Sequence, residues 1–223
     1  MKKKEFINLE KARANCFNIF TALFCQPQKE IIKANKIYDS LLSSIELISP
    51  KCIDYILDLK KQKSKINIEK LLIEYSRLFI GPFGMIAPPY SSMYFGQKNN
   101  LMSDETLWVI NFYNDMGLEF DTKIKDAPDH IAIELEFIYY MIYKEISELE
   151  NNKIKNAKHY WINQVSFYNN HFKKWTIEFS NKIENGTTFE FYKILAICFK
   201  QFLTDDKITA FPVSTKIKTT IAL

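Results

Sequence analysis

The sequence predicts an all-α protein, a single globular domain of roughly eight helices packed by ridges and grooves. Three observations support this prediction. Apolar residues recur at three- and four-residue steps along most of the chain, which is the period of an amphipathic helix. No stretch of useful length alternates apolar and polar residues as a half-buried strand does. Finally, 47% of the 223 residues are hydrophobic and 15% are aromatic, which is enough to form one core without disulfides or metals.

Four helical segments are predicted before residue 80. The first carries Phe6, Phe17 and Phe20 on one side and stops before Pro27, because a residue that precedes proline disfavours the helical conformation. Pro50 stands in the first turn of a later segment, where its missing N–H group is not needed. The four segments span residues 4–25, 29–48, 50–63 and 67–79.

Four more segments follow residue 100. Ser103 and Asp129 are predicted to cap the first two, because their side-chain oxygens can accept hydrogen bonds from the first turn. Thr187 and Glu190 have the spacing of a capping box for the last helix. These segments span residues 103–117, 129–150, 155–184 and 187–203, and they place the domain at residues 1–204. Residues 205–223 lack a helical period and are predicted to be a loosely attached or disordered tail.

Residues 74–94 differ from the predicted helices around them. This stretch holds three of the seven prolines and two of the five glycines, and its other side chains are largely apolar. Because proline restricts the backbone, an apolar side chain in such a loop loses little conformational entropy when it meets a partner. The stretch therefore predicts a recognition surface on which Phe83, Met85, Ile86 and Tyr90 are exposed.

Charge is distributed unevenly along the chain. The net charge is +4, yet residues 101–136 carry nine acidic and two basic side chains. An acidic block beside an apolar loop suits a partner that is both basic and apolar. Only Arg13 and Arg77 are arginine among the 30 basic residues, and arginine dominates phosphate and base recognition, so nucleic acid is not the predicted partner. The lysine-rich patch at residues 60–65 leaves a nucleic-acid or membrane-surface binder as one alternative, which predicts steep salt dependence.

The cysteines and the N-terminus indicate a reducing compartment. Cys16, Cys25, Cys52 and Cys198 have no Cys-x-x-Cys spacing and lie in apolar contexts, so they are predicted to be reduced core residues and not metal ligands. The N-terminus lacks the apolar run of a signal peptide, and no apolar run approaches the roughly 20 residues of a membrane span. We expect a cytoplasmic protein without stable membrane insertion and without a cofactor.

A second alternative is a helical metalloenzyme built around His130 and Glu134, which share one helical face at a spacing of four residues. The sequence contains no Glu-x-x-His motif, whereas a di-metal carboxylate centre requires that motif on two helices. His159 and His171 have no acidic partner that the sequence pattern places beside them, so they are predicted to be core or surface histidines. The main prediction is therefore a protein that is not an enzyme.

Three motifs together carry a resemblance to a known family. In chain order they are Tyr75-x-x-Leu78-Phe79-x-Gly81-Pro82 with Pro88-Pro89-Tyr90-x-Ser92-x-Tyr94, then Pro128-Asp129-His130-Ile131 with Glu134-Leu135-Glu136-Phe137, then Phe167-x-x-x-His171-Phe172-x-x-Trp175-x-x-x-Phe179. In this order they resemble the TorD/DmsD-type redox enzyme maturation chaperones, which are related to the NarJ group. The resemblance covers the chain from about residue 10 to residue 204.

The resemblance implies a cytoplasmic, all-helical chaperone. Such a chaperone binds the twin-arginine signal peptide and the apo form of a molybdopterin-containing oxidoreductase, assists cofactor insertion and delays export. It implies no catalysis, and it leaves the oligomeric state open, homo-oligomers included. The peptide-binding residues that it implies are Tyr75, Leu78, Phe79, Phe83, Pro89, Tyr90, Asp129, His130, Arg13 and Phe20. A further hypothesis is that residues 216–223, which are basic and then apolar, mimic a signal peptide and occupy the same groove.

Overall fold

The computed structural model describes residues 1–81, 84–95, 103–121 and 126–205. Within these ranges the chain forms ten α-helices joined by short turns, and it forms no strand, so the all-α prediction is confirmed. The helices are α1 Lys3–Phe24, α2 Lys29–Ile32, α3 Asn35–Ile48, α4 Ile53–Gln62, α5 Ile68–Tyr75, α6 Asp104–Asp115, α7 Ile131–Glu150, α8 Ile154–Phe167, α9 Lys173–Gly186 and α10 Glu190–Thr204. None of these helices is both long enough and apolar enough to cross a bilayer. Phe83 and residues 206–223 lie outside the described ranges.

The core is centred on α1, which packs against α3 and α7, while α10 packs against α4 and α9. Phe20 is fully buried, and its ring centroid lies 5.0 Å from that of Phe199 and 5.2 Å from that of Phe202. Aromatic pairs of this kind stabilise a core beyond the burial of their area. The apolar stripe that predicted the first helix is thus the central surface of the fold.

Two long predicted helices are each interrupted by a π turn. The segment predicted at residues 67–79 is α5 followed by a π turn at Ser76–Ile80, and the segment predicted at residues 155–184 is α8 and α9 separated by a π turn at Tyr168–Phe172. A π turn adds one residue to a helical turn and so redirects the side chains that follow it. Leu78 and Phe79 lie in the first π turn, and His171 lies in the second.

Of the three predicted caps, Ser103 stands at the N-cap position of α6 but its hydroxyl makes no capping hydrogen bond, and the other two are wrong because tertiary partners take the side chains. His130, and not Asp129, caps α7, since its Nδ1 accepts a hydrogen bond of 3.2 Å from the backbone N–H of Ala132. The hydroxyl of Thr187 donates to Glu74 across the fold at 2.7 Å, and α10 begins at Glu190 without a capping box. Gly117 follows the end of α6 as predicted and adopts a positive φ of 76°, which glycine tolerates without strain.

Candidate functional site

The proline-rich loop and the acidic turn before α7 meet in a short antiparallel bridge. The N–H of Ile131 donates to the carbonyl of Pro89 at 2.8 Å, and the N–H of Ser91 donates to the carbonyl of Asp129 at 3.0 Å. The ring of Tyr90 meets the ring of His130 edge-on, with 5.2 Å between centroids. We call residues 89–92 and 128–131 the Tyr90–His130 junction. It joins two segments that are about 40 residues apart in sequence.

Asp129 is a structural anchor of this junction. Its carboxylate is fully buried, and its Oδ2 accepts a hydrogen bond of 2.9 Å from the N–H of Ser92. Its Oδ1 has no hydrogen-bond partner, and neither do the buried hydroxyls of Ser91 and Ser92. Burial of an unpaired carboxylate oxygen costs free energy. The Oδ1 atom of Asp129 is therefore a buried hydrogen-bond acceptor that the junction leaves unused.

His130 is held as a neutral imidazole. Burial lowers its pKa, and this effect outweighs the nearby carboxylates of Asp126 and Asp129, which raise it. Because Nδ1 accepts the capping hydrogen bond from Ala132, the proton lies on Nε2. His130 therefore presents one N–H donor and no positive charge near neutral pH.

The accessible surface around Tyr90, next to the junction, is acidic and aromatic. Tyr90 is half-buried, and its hydroxyl lies 3.5 Å from Oδ1 of the exposed Asp126. Cys25 directly follows α1, and burial and then the carboxylates of Asp126 and Glu136 raise the pKa of its thiol. Burial, Cys25, Asp126 and Tyr90 together raise the pKa of Tyr75. We call Cys25, Tyr90, Asp126 and Glu136 the acidic-aromatic face, and the buried Tyr75 lies behind it.

An apolar groove lies on the neighbouring side of α5. It encloses about 650 Å³ and is lined by Leu72, Ile73, Ser76, Arg77, Gly81, Gly84 and Ile86. Ile73 lines the groove and is 70% exposed, and Ile80, the last residue of the π turn and the neighbour of the lining Gly81, is 62% exposed. Large aliphatic side chains exposed at or next to an apolar groove are typical of an interaction surface. Together with the acidic-aromatic face, this apolar groove is the candidate site.

The groove is fixed to the body of the protein by polar and steric contacts. Glu74 accepts hydrogen bonds from Arg77 at 2.6 and 2.8 Å, while Arg77 also donates to the carbonyl of Gly186 at 2.6 Å. Burial acts to raise the pKa of Glu74, but the hydrogen bonds from Arg77 and Thr187 outweigh it and lower the pKa. Ile86 packs so closely on Gly186 that a Cβ at that glycine would lie 2.3 Å from Cγ2 of Ile86.

A buried polar cluster that the sequence did not predict lies beneath α6. Nδ1 of His171 is 2.7 Å from Oε1 of Glu105, and its Nε2 is 2.8 Å from Oε1 of Glu134. Trp175 donates to the second oxygen of Glu134 at 2.9 Å. Burial opposes the charge on His171, but Glu134 and Glu105 outweigh it and raise the pKa to about 9. The expectation that His171 lacks an acidic partner is therefore wrong, although its burial matches a core histidine.

The residues predicted for the site divide into support and surface. Tyr75, Leu78 and Phe79 are buried, and the ring of Phe79 packs on Phe179 at 5.8 Å and on Tyr192 at 5.6 Å. They hold the loop from behind. Pro89, Asp129 and His130 are also buried, and Met85, Ile86 and Tyr90 are half-buried, so the expectation of a fully exposed loop is wrong for these described residues.

The two residues predicted on the first helix are not at the surface. Phe20 belongs to the central core, and Arg13 is only 4% exposed. The guanidinium of Arg13 donates to Glu10 at 2.5 Å and also to Gln164, which in turn donates to Glu145. An arginine in such a buried network is held by its partners. Because both side chains are buried in this conformation, neither Arg13 nor Phe20 is placed to contact a peptide directly, contrary to the expectation.

The metalloenzyme alternative has no support in the described part of the chain. Both oxygens of Glu134 are taken by His171 and Trp175, and Nδ1 of His130 is taken by the helix cap. Among the described residues, no group of three His, Cys, Asp or Glu side chains is placed to hold a metal ion.

Comparison with known proteins identifies the family. The family model described as nitrate reductase delta subunit matches residues 39–181. The chain belongs to this family. It is 27% identical to the chaperone protein TorD of Vibrio parahaemolyticus over 194 residues, which is 82% of this chain and 87% of the relative. A 64-residue stretch, 29% of this chain and 31% of the relative, is 30% identical to the Tat proofreading chaperone DmsD of Salmonella typhimurium.

A solved structure agrees with the family. An Archaeoglobus fulgidus protein described as a redox enzyme maturation protein superposes with a TM-score of 0.54 at 21% sequence identity, covering 85% of this chain and 93% of the other. At this identity the likeness shows the fold. The TorD/DmsD resemblance that the three motifs carry is confirmed by the family model and by the TorD and DmsD relatives.

Proposed function

We propose that this chain is a cytoplasmic chaperone for the maturation of a redox enzyme and not itself an enzyme. It binds the twin-arginine signal peptide and the apo form of a molybdopterin-containing oxidoreductase, and it retains them until the cofactor is inserted. The relatives that align with most of the chain are named as chaperones. The observation that carries the proposal is that the segment from α5 to Tyr90 lines the exposed apolar groove and also carries Tyr90, which lies beside His130 and Asp126 on the acidic-aromatic face.

This arrangement matches the chemistry of such a peptide, in which two arginines precede an apolar stretch. Asp126 and Glu136 are exposed carboxylates that can meet arginine, and Ile73 and Ile80 offer exposed aliphatic surface for the apolar stretch. Burial of about 400 Å² of apolar surface contributes on the order of 10 kcal/mol gross. Ordering the peptide costs roughly 2–5 kcal/mol, and association costs about 4 kcal/mol or more, so the net binding free energy is much smaller than this gross value.

The proposed division of labour assigns most of the affinity to apolar contact. Exposed Arg–carboxylate pairs contribute only about 0.2–1 kcal/mol each, whereas a buried aliphatic side chain contributes about 1.5–3 kcal/mol. The carboxylates then fix the register of the peptide on the groove. This assignment favours Ile73 and Ile80 over the buried Asp129 as the positions at which substitution weakens binding directly.

The decisive experiment is a pull-down from the native cell followed by calorimetry. The tagged chain should recover one oxidoreductase with a twin-arginine leader, and the synthetic leader should bind measurably in calorimetry. An Ile73→Ser/Ile80→Ser variant should lose about tenfold or more in affinity, while Leu47→Ser, which changes a 56% exposed leucine on α3, should bind normally. Recovery of no such enzyme, together with a leader that does not bind, would refute the proposal.

The nucleic-acid or membrane-surface alternative makes a different prediction in the same assay. Lys60 is paired with Asp39, and Lys61 lies 3.0 Å from Asp58, so part of the lysine-rich patch is already neutralised. Binding to nucleic acid or to anionic vesicles that falls steeply with added salt, together with indifference to twin-arginine peptides, would support that alternative.

A further inference from the structure

A second, smaller pocket lies between α6 and the first half of α7. It encloses about 270 Å³ and is lined by Tyr113, Leu118, Glu119, Phe120, Asp121, Ile133, Glu136, Phe137 and Tyr140. Ligand pockets for whole small molecules enclose about 300–1,000 Å³. A pocket of this size therefore suits a single long side chain better than a free metabolite.

The walls and the rim of this pocket differ in chemistry. Its floor is aromatic, since Tyr113 and Phe137 are buried with their ring centroids 4.5 Å apart. Its other aromatic and aliphatic side chains are half-buried, whereas the three carboxylates at its rim, Glu119, Asp121 and Glu136, are exposed. Six of the nine lining residues are apolar or aromatic, so the pocket is more than an acidic cluster.

The pocket is continuous with the candidate site. The hydroxyl of Tyr113 donates to the carbonyl of Pro128 at 3.0 Å, immediately before the Tyr90–His130 junction. Glu136 lines the pocket and lies on α7, five residues after Ile131, where this helix begins at the Tyr90–His130 junction. A peptide that lies across the junction can therefore place one side chain in the pocket without leaving the site.

We infer that this pocket receives an arginine side chain of the bound signal peptide. The inference rests on the proposed function and adds a location for one of the two arginines. Guanidinium is planar, pairs with carboxylates in a fork and stacks on aromatic rings, and it gives up its hydration more readily than an ammonium group. An aromatic floor beneath a carboxylate rim complements each of these properties. A metal ion does not fit, since no three such ligands converge in the described residues.

The test is a comparison of two peptides on three proteins. One synthetic peptide carries Arg-Arg followed by a run of leucine and alanine, and the other carries Lys-Lys in the same place. The proteins are the unaltered chain, a Glu119→Gln/Glu136→Gln variant, and a Glu30→Gln/Glu46→Gln control. The control removes the same two charges from exposed positions on α2 and α3, which do not line the pocket. Thermal melts establish that all three proteins are folded.

The expected result is a loss of discrimination. The unaltered chain and the control should prefer the Arg-Arg peptide, because a guanidinium can pair in a fork and stack on the aromatic floor, whereas an ammonium group is a compact, strongly hydrated charge. The pocket variant should bind that peptide about 2- to 25-fold more weakly, because each of two exposed pairs contributes a factor of about 1.4 to 5, and its preference for arginine over lysine should fall below about twofold. A pocket variant that keeps the full preference overturns this inference alone. An unaltered chain that binds neither peptide overturns both the inference and the proposed function.

Discussion

Phe79→Ala should act on the stability of the fold and only through it on peptide binding. Phe79 is 3% exposed, and its ring contacts Tyr75 at 5.0 Å as well as Phe179 and Tyr192. Removal of a fully packed phenylalanine costs about 3–5 kcal/mol, since both transfer free energy and a cavity are involved. For a chain of this length, each kcal/mol lowers the melting temperature by about 2–4 °C, so a decrease on the order of 10 °C is expected.

Urea denaturation and calorimetry on the same samples separate the two effects. Ile80→Ala is the matched control, because Ile80 is the next residue in the chain and is 62% exposed. It should leave the free energy of unfolding within about 0.5 kcal/mol of the unaltered value while weakening peptide binding. The reasoning is refuted if Phe79→Ala keeps its full stability and nevertheless loses binding, since Phe79 would then contact the peptide directly.

Three further predictions concern other parts of the molecule. The ion pairs of His171, whose pKa is raised to about 9 by Glu134 and Glu105 against the effect of burial, contribute stability that is complete below pH 6.5 and lost as the pH rises towards 9; a His171→Gln variant should lack this slope in urea titrations. Burial and Glu10 raise the pKa of Glu145 to about 9. Above about pH 4.5 the unfolded state ionises at Glu145 while the folded state keeps the proton, so stability falls as the pH rises towards 9, and Glu145→Gln should be increasingly more stable than the unaltered chain over this range. An equal loss of stability with pH in both proteins would contradict this. If the tail mimics a signal peptide, deletion of residues 214–223 should tighten peptide binding in calorimetry, and unchanged affinity would end that hypothesis.

Periodicity was sufficient to predict most helices, because burial of one face sets the spacing of apolar residues. It failed at the two π turns, where a single inserted residue shifts the faces without any change in composition. The cap predictions failed at Asp129 and Thr187. Their side chains have the right chemistry for a cap, but they bond to Ser92 and Glu74 instead. Local propensity yields to a tertiary partner in such places.

The site was harder to predict than the fold because its parts come from distant segments. Composition singled out the proline-rich loop, and charge counting singled out residues 101–136, but nothing in either pattern states that the two meet. His171 lies 66 residues from Glu105 and 37 from Glu134 along the chain, so no spacing rule connects them. The one available signal was the presence of His171 and Glu134 within motifs of a single family resemblance.

The three motifs contact one another in the structure, and this explains what they can and cannot specify. Ser92 of the first motif bonds to Asp129 of the second, Trp175 of the third bonds to Glu134 of the second, and the Tyr94 ring lies 5.4 Å from that of Trp175. The residues that define the three motifs are mostly buried. The motifs therefore form the buried support of the proline-rich loop and the Tyr90–His130 junction.

The accessible residues of the site lie largely outside the motifs. Ile73 and Asp126 belong to none of them, and Ile80 occupies an unspecified position within the first. Since buried support is the same for any peptide that the loop can hold, discrimination between client enzymes depends on the side chains that the peptide touches. Exchange of Ile73, Ile80 and Asp126 for the residues that a TorD relative carries at the corresponding positions should therefore shift the preference between two leaders while leaving the melting temperature within about 3 °C.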